Sequence, residues 1–118
     1  NFVKKKNNKN KKHYLVSIHS FTKNSKNVNR GIEVGLLWNK TMDLLLPIQR
    51  NLKDKKIHFG RNYPYSGFHY NYTVDRLCRN FDLKNITIEI RNDLICDQKG
   101  IKNYVKLMSN IFKEFLNE

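Results

Sequence analysis

The sequence predicts an α/β fold, a layered sheet flanked by helices, and three observations carry that expectation. Strand-like and helix-like stretches interleave in the order strand, strand, helix, strand, helix, strand, helix. Residues 85–91 alternate strictly, with Ile86, Ile88 and Ile90 on one side and Thr87, Glu89 and Arg91 on the other. Near the end, Ile101, Tyr104, Val105, Met108, Ile111, Phe112 and Phe115 recur at helical spacing over about four turns.

The remaining elements follow in order. Residues 4–12 are a low-complexity run of Lys and Asn that reads as a solvated loop or the end of a preceding helix. Tyr14–Ile18 is short, β-branched and mostly apolar, as a buried parallel strand would be, and it stops at His19-Ser20. Residues 21–30 read as a loop, and Glu33–Trp38 as the second strand. Thr41–Lys53 is predicted helical, with Leu45, Ile48 and Leu52 on one side; Pro47 then belongs near its first turn or marks a kink. A third strand is expected over Lys56–Gly60, followed by an aromatic-rich loop over residues 62–71. Thr73 is a candidate N-cap for a short helix burying Val74, Leu77, Cys78 and Phe81. In a sheet of this kind functional groups gather at the carboxyl ends of strands, which is where His19, Asn62 and Arg91 fall.

Composition narrows the function. The net charge of +13 invites a nucleic-acid reading, but six of the lysines lie in the first twelve residues, which carry no acid, and +7 remains for residues 13–118. Those later lysines are mixed with Asn and Ile along the whole chain and need no polyanionic partner. A small basic nucleic-acid-binding module is therefore the less favoured alternative, resting on an arm without interleaved aromatics. No apolar run approaches the ~20 residues of a membrane span, and no secretory leader is visible, so a cytoplasmic protein is expected. Cys78 and Cys96, eighteen positions apart and without a C-x-x-C pair, read as two buried reduced thiols, with a disulfide or a metal pair as the less favoured alternatives.

Four groups could carry chemistry. His19 offers an imidazole that could ligate zinc, or simply bond a loop carbonyl. Glu89 sits on the face opposite three isoleucines. In a covered sheet it would be a costly buried carboxylate suited to general-base work; on an open face it would be an ordinary surface acid. Arg91 projects to the same side and could grip a substrate carboxylate bidentately or pair with Glu89, with Asp93 near enough to compete. The run Asn62-Tyr63-Pro64-Tyr65-Ser66-Gly67 offers amide, phenol and hydroxyl groups that could position a substrate, or could merely pack.

Four blocks, in order and at matching spacing, resemble the N-formylglutamate amidohydrolase family: residues 17–22 (Ser-Ile-His-Ser-Phe-Thr), Arg30 through Gly35-Leu36-Leu37-Trp38-Asn39, residues 60–67, and residues 88–95. The resemblance spans about residues 14–117 and implies a fold like that of zinc carboxypeptidases and aspartoacylases, a mixed sheet with zinc at the strand ends. It also implies that His19 is a zinc ligand, that Glu89 activates water, and that Arg30, Asn62, Tyr65, Ser66 and Arg91 shape the substrate pocket. The implied reaction is hydrolysis of N-formyl-L-glutamate to formate and glutamate, a step in histidine degradation; a related acylase or carboxypeptidase acting on another acidic N-acyl amino acid is the nearest alternative. Arg61 and Tyr63 stand where the family more often shows acids, which bears on the fine substrate preference. No His-plus-acid pair precedes His19, and the first residue is Asn1. The expectation is thus that residues 13–118 are the C-terminal half of the domain, that the other zinc ligands lie in an N-terminal part, and that the chain alone is inactive.

Overall fold

The computed structural model describes residues 14–22, 24–25, 28–29, 31–38, 43–62 and 84–116. Their elements are β1 (Tyr14–Phe21), β2 (Asn24–Ser25), β3 (Val28–Asn29), β4 (Val34–Leu37), α1 (Leu45–Asp54), β5 (Phe59–Arg61), β6 (Lys84–Arg91), a 3-10 turn (Asn92–Ile95) and α2 (Gln98–Leu116). The basic stretch 1–12 and the expected helix after Thr73 lie outside the described residues.

A four-stranded sheet in the order β1-β6-β4-β5 organises the rest. β1 is parallel to β6, β4 is antiparallel to β6, and β4 and β5 are parallel with α1 as their crossover. The expected α/β layered mixed sheet is what forms. The mixed orientation corrects one expectation: the carboxyl ends of β1 and β6 lie toward one edge of the sheet, those of β4 and β5 toward the other. β2 and β3 pair as a small antiparallel ladder where a plain loop was expected.

β6 lies inside the sheet and is buried from Asn85 to Ile90. Its isoleucines, Ile86, Ile88 and Ile90, join Val34 and Leu36 of β4, Leu45, Ile48 and Leu52 of α1, and Leu107, Met108 and Ile111 of α2 in one core. Each such side chain contributes about 1.5–3 kcal/mol by leaving water. Both helices therefore cover the isoleucine side of the sheet. The stripe expected on α2 is partly displaced: Ile101 and Val105 are about half exposed, while Leu107 is buried. The helix meets the sheet along Tyr104, Leu107, Met108 and Ile111, and Ile101 and Val105 fall on its flank.

Element ends differ from the pattern for identifiable reasons. β1 runs on to Phe21 because β6 pairs with it for all eight residues, from Tyr14↔Lys84 to Phe21↔Arg91. His19 is consequently inside the strand, not past its end. α1 starts at Leu45, so Pro47 occupies the first turn, where the missing N–H leaves no bond unmade. β5 begins three residues later than expected because residues 55–57 close the helix instead. Lys56 N–H donates to the Lys53 carbonyl (3.0 Å) and Ile57 N–H to the Leu52 carbonyl (2.9 Å). That paired arrangement is the Schellman closure, and it puts Lys56 in the left-handed region at φ 58°. Lysine carries a Cβ penalty there of about 1 kcal/mol, which glycine avoids. Lys56→Gly is accordingly expected to raise unfolding stability by about 0.5–1 kcal/mol in urea titration, since the exposed side chain contributes little to offset it.

Cys96 is a free, exposed thiol, contrary to the expected burial, and its Sγ donates to the Asp93 carbonyl at 3.2 Å. It follows the 3-10 turn, whose Ile95 packs against the apolar core while Cys96 itself faces solvent. Cys78 lies outside the described residues.

Candidate active site

Register brings the two chemically interesting side chains together. In the parallel β1/β6 pair, Ser17 is opposite Thr87, His19 opposite Glu89, and Phe21 opposite Arg91. Strand side chains alternate between faces, and the isoleucines of β6 point at the helices. Glu89 therefore points away from the helices, and His19, one strand over at a spacing of about 4.8 Å, projects to the same side. On the far side of Glu89 the partner on β4 is Gly35, whose own partner on β5 is Gly60. One row across the sheet reads His19, Glu89, Gly35, Gly60. It holds an imidazole, a carboxylate and two positions without side chains, the pattern that marks close approach of backbone or ligand.

Glu89 is 6% exposed, so its face of the strand is covered and the surface-acid reading is excluded. Its Oε2 is buried and has no hydrogen-bond partner among the described residues. Burial pushes its carboxyl above the ordinary value, and the charge of His19 pulls the other way more weakly. A buried carboxylate with a free oxygen is expensive in a purely structural role. His19 is exposed, and its Nε2 lies 2.9 Å from Ser17 Oγ.

The other expected site residues divide. Arg91 ends β6, and its guanidinium is committed to Asp93, with Nε to Oδ1 at 2.6 Å and Nη2 to Oδ2 at 3.3 Å, while Nη1 donates to the Ile32 carbonyl at 3.3 Å. Of its two alternative partners, Asp93 is the one the geometry selects. Asn62 follows β5 in the left-handed region at φ 54°. Its N–H donates to the Leu36 carbonyl (2.8 Å) and its Oδ1 accepts from Trp38 N–H (2.9 Å). Those bonds clamp the end of β4, and Asn tolerates the conformation better than most residues. Arg30, Tyr65 and Ser66 lie outside the described residues.

Arg61, singled out for its departure from the resemblance, stacks over the Trp38 ring at 6.0 Å from the centroid. It pairs with Leu36, a core residue, so alternation places it on the helix side of the sheet, away from Glu89. Two features of the site were not given a role from sequence. Ser17, two residues before His19 on one strand, shares its face, and the spacing alone could have shown this. Gly35 and Gly60 align only once the register is known.

Among the described residues no three of His, Cys, Asp and Glu converge to hold a metal ion. The donors that are present still suit zinc chemistry. An imidazole nitrogen is a zinc ligand of the usual kind, and a carboxylate is the kind of group that serves as a base beside one. A zinc site needs about three protein ligands, of which a single imidazole would be one. No helix of the described residues is long and apolar enough to cross a membrane.

A sheet that buries a free carboxylate beside an imidazole has the makings of a hydrolytic centre on an α/β scaffold. The family comparison agrees. The model of the N-formylglutamate amidohydrolase family matches residues 2–96, and the chain belongs to that family. Among solved structures it is similar to the crystal structure of gene product Atu2144 from Agrobacterium tumefaciens, at 26% identity and a TM-score of 0.63. That likeness covers 86% of this chain and 43% of the other, so the chain spans less than half of that protein's length. No curated protein matches it.

Proposed function

We propose that this chain contributes a zinc ligand, His19, and the general base, Glu89, to hydrolysis of the amide bond of a small acidic N-acyl amino acid, with N-formyl-L-glutamate as the favoured substrate. One observation carries the proposal: the Glu89 carboxylate is buried, has an oxygen without a partner, and stands in register beside His19. Membership of the family supplies the reaction class. The remaining zinc ligands are assigned to chain beyond the described residues.

In this reading Glu89 accepts a proton from the attacking water as the water oxygen bonds to the formyl carbon. The carbon–nitrogen bond then breaks, and Glu89 returns the proton to the departing amine nitrogen, giving formate and L-glutamate. Raising the carboxyl by burial moves it toward neutrality, where a base that must also release its proton works best. Zinc, when bound, supplies Lewis acidity that polarises the formyl carbonyl and makes water easier to deprotonate. Arg91 braces the end of β6 through Asp93, so a substrate carboxylate that it takes must compete with that pair.

The test uses the full-length protein against N-formylglutamate, N-acetylaspartate and N-succinylglutamate. N-formylglutamate is expected to show the highest kcat/KM. Dialysis against a chelator is expected to abolish turnover, and stoichiometric zinc to restore it. If N-formylglutamate is the poorest of the three substrates the assignment fails, and full activity after exhaustive chelation removes zinc from it.

A further inference from the structure

We infer that Ser17 is a positioning residue for His19: its hydroxyl oxygen accepts the Nε2–H of the imidazole and so leaves Nδ1 as the ring's lone-pair donor. The inference rests on the reading of His19 as a zinc ligand and adds which ring nitrogen binds and what selects it.

Ser17 and His19 lie two apart on β1, so their side chains leave the same face of the strand. The Oγ–Nε2 separation of 2.9 Å is that of a full hydrogen bond. No other hydrogen bond from a described residue reaches the ring. The bond turns the imidazole back along its own strand and fixes its rotation about the Cβ–Cγ axis. A neutral imidazole carries one N–H and one lone pair, and a ligand must present the lone pair to the metal. A serine hydroxyl can donate or accept, so the distance alone does not set the direction; it is the ligand role of the ring that requires Nε2–H to donate to Ser17 and leaves the lone pair on Nδ1. Metal-bound histidines are held in this way by an acceptor on the second nitrogen, and loss of that acceptor typically weakens metal binding about 10–100-fold.

β1 also explains why a side chain within the strand serves as the acceptor. Through residues 14–21 its backbone carbonyls face along the sheet toward β6 or outward at its edge, not up from the face that carries His19. Glu89 stands on the neighbouring strand, but with a general-base role its proton-accepting oxygen cannot also serve as a fixed acceptor for the ring. Ser17 supplies the acceptor without a charge that would compete for metal.

The experiment compares the full-length wild-type protein with Ser17→Ala and Ser17→Thr, all stripped of metal. Long-range proton–nitrogen NMR on the neutral ring, with His19 assigned by its loss in His19→Gln, reports the tautomer directly. Wild type is expected to hold the Nε2–H form and Ser17→Thr to keep it. Ser17→Ala is expected to shift toward a mixture of the two forms, and its zinc affinity, read by chelator competition, to fall about 10–100-fold. Unchanged thermal melting would show that the fold is intact; if Ser17→Ala melts early, rescue of tautomer and affinity by Ser17→Thr supports the inference in its place. An Nδ1–H tautomer in wild type overturns the inference, and so does a Ser17→Ala protein with both tautomer and zinc affinity unaltered. Neither readout uses substrate, so failure here is separable from failure of the amidohydrolase reading, which turnover of N-formylglutamate decides.

Discussion

Replacing Glu89 with glutamine is expected to lower kcat by about 10²–10⁴-fold, the range for loss of a positioned acid–base group, and to raise the melting temperature at the same time. The two effects have one cause. The carboxylate lies in a covered part of the sheet with an oxygen that has no partner, so the folded state disfavours its charge. Its pKa in the fold lies above the ordinary 4.5. The sign for stability follows from linkage: over the interval between the unfolded and folded values, the native state holds a proton that the unfolded chain has lost. The stability contributed by this group is thus fully present below the ordinary value and is lost as pH rises through the raised one. Glutamine has no proton to lose, so the gain in melting temperature should be absent near pH 4 and grow toward pH 8. Calorimetric melts of both proteins across that range check this. A variant that loses activity and also melts lower at pH 8 would mean that Glu89 stabilises the fold, and the stability–function opposition expected of a catalytic carboxylate would be absent.

The path from sequence to this site shows which parts of it were local. The Ile86-Thr87-Ile88-Glu89-Ile90-Arg91 alternation is a property of neighbouring residues, so the strand and the opposition between Glu89 and the isoleucines were readable from it. Whether Glu89 met solvent was not readable, because that depends on what covers the sheet. Strand direction was the second non-local quantity. The order of elements suggested strand ends gathered at one edge, yet β4 runs against β6, and Asn62 ends up clamping β4 away from Arg91. The resemblance of the blocks at residues 17–22 and 88–95 singled out His19 and Glu89, whereas their adjacency comes from a register eight residues long between partners seventy positions apart. No periodicity within either block encodes that pairing. Likewise the helical period of α2 was plain in the sequence, but its rotation about its axis, which leaves Val105 exposed and Leu107 buried, is set by the sheet beneath.

Gly100→Ala is expected to be the most destabilising single-methyl change near the start of α2, at about 2–4 kcal/mol, although local rules argue for the opposite sign. Alanine is favoured over glycine in a helix by about 0.8–1.0 kcal/mol, and it also restricts the unfolded chain. Against this, a Cβ at position 100 would lie 2.0 Å from the Leu94 carbonyl oxygen and 3.0 Å from its carbon, with Asp97 Oδ1 at 3.1 Å. The first two contacts are with backbone, so no rotamer change relieves them, and the helix start or the 3-10 turn must move. Both are tied down. Gly100 N–H donates to Asp97 Oδ1 at 2.8 Å and Ile101 N–H to the Asp97 carbonyl at 3.0 Å, so the capping turn is built on these atoms. Movement of the turn pulls on Asp93, which Arg91 holds by two bonds, and Arg91 is two residues from Glu89. The steric term therefore outweighs the propensity gain, and part of the shift is passed to the end of β6. Urea unfolding of Gly100→Ala beside Lys99→Ala, an exposed control expected within about 0.5 kcal/mol of wild type, measures the difference. Equal or greater stability of Gly100→Ala would show that the Leu94 carbonyl does not press on the helix, and that α2 is anchored to the end of β6 by other contacts.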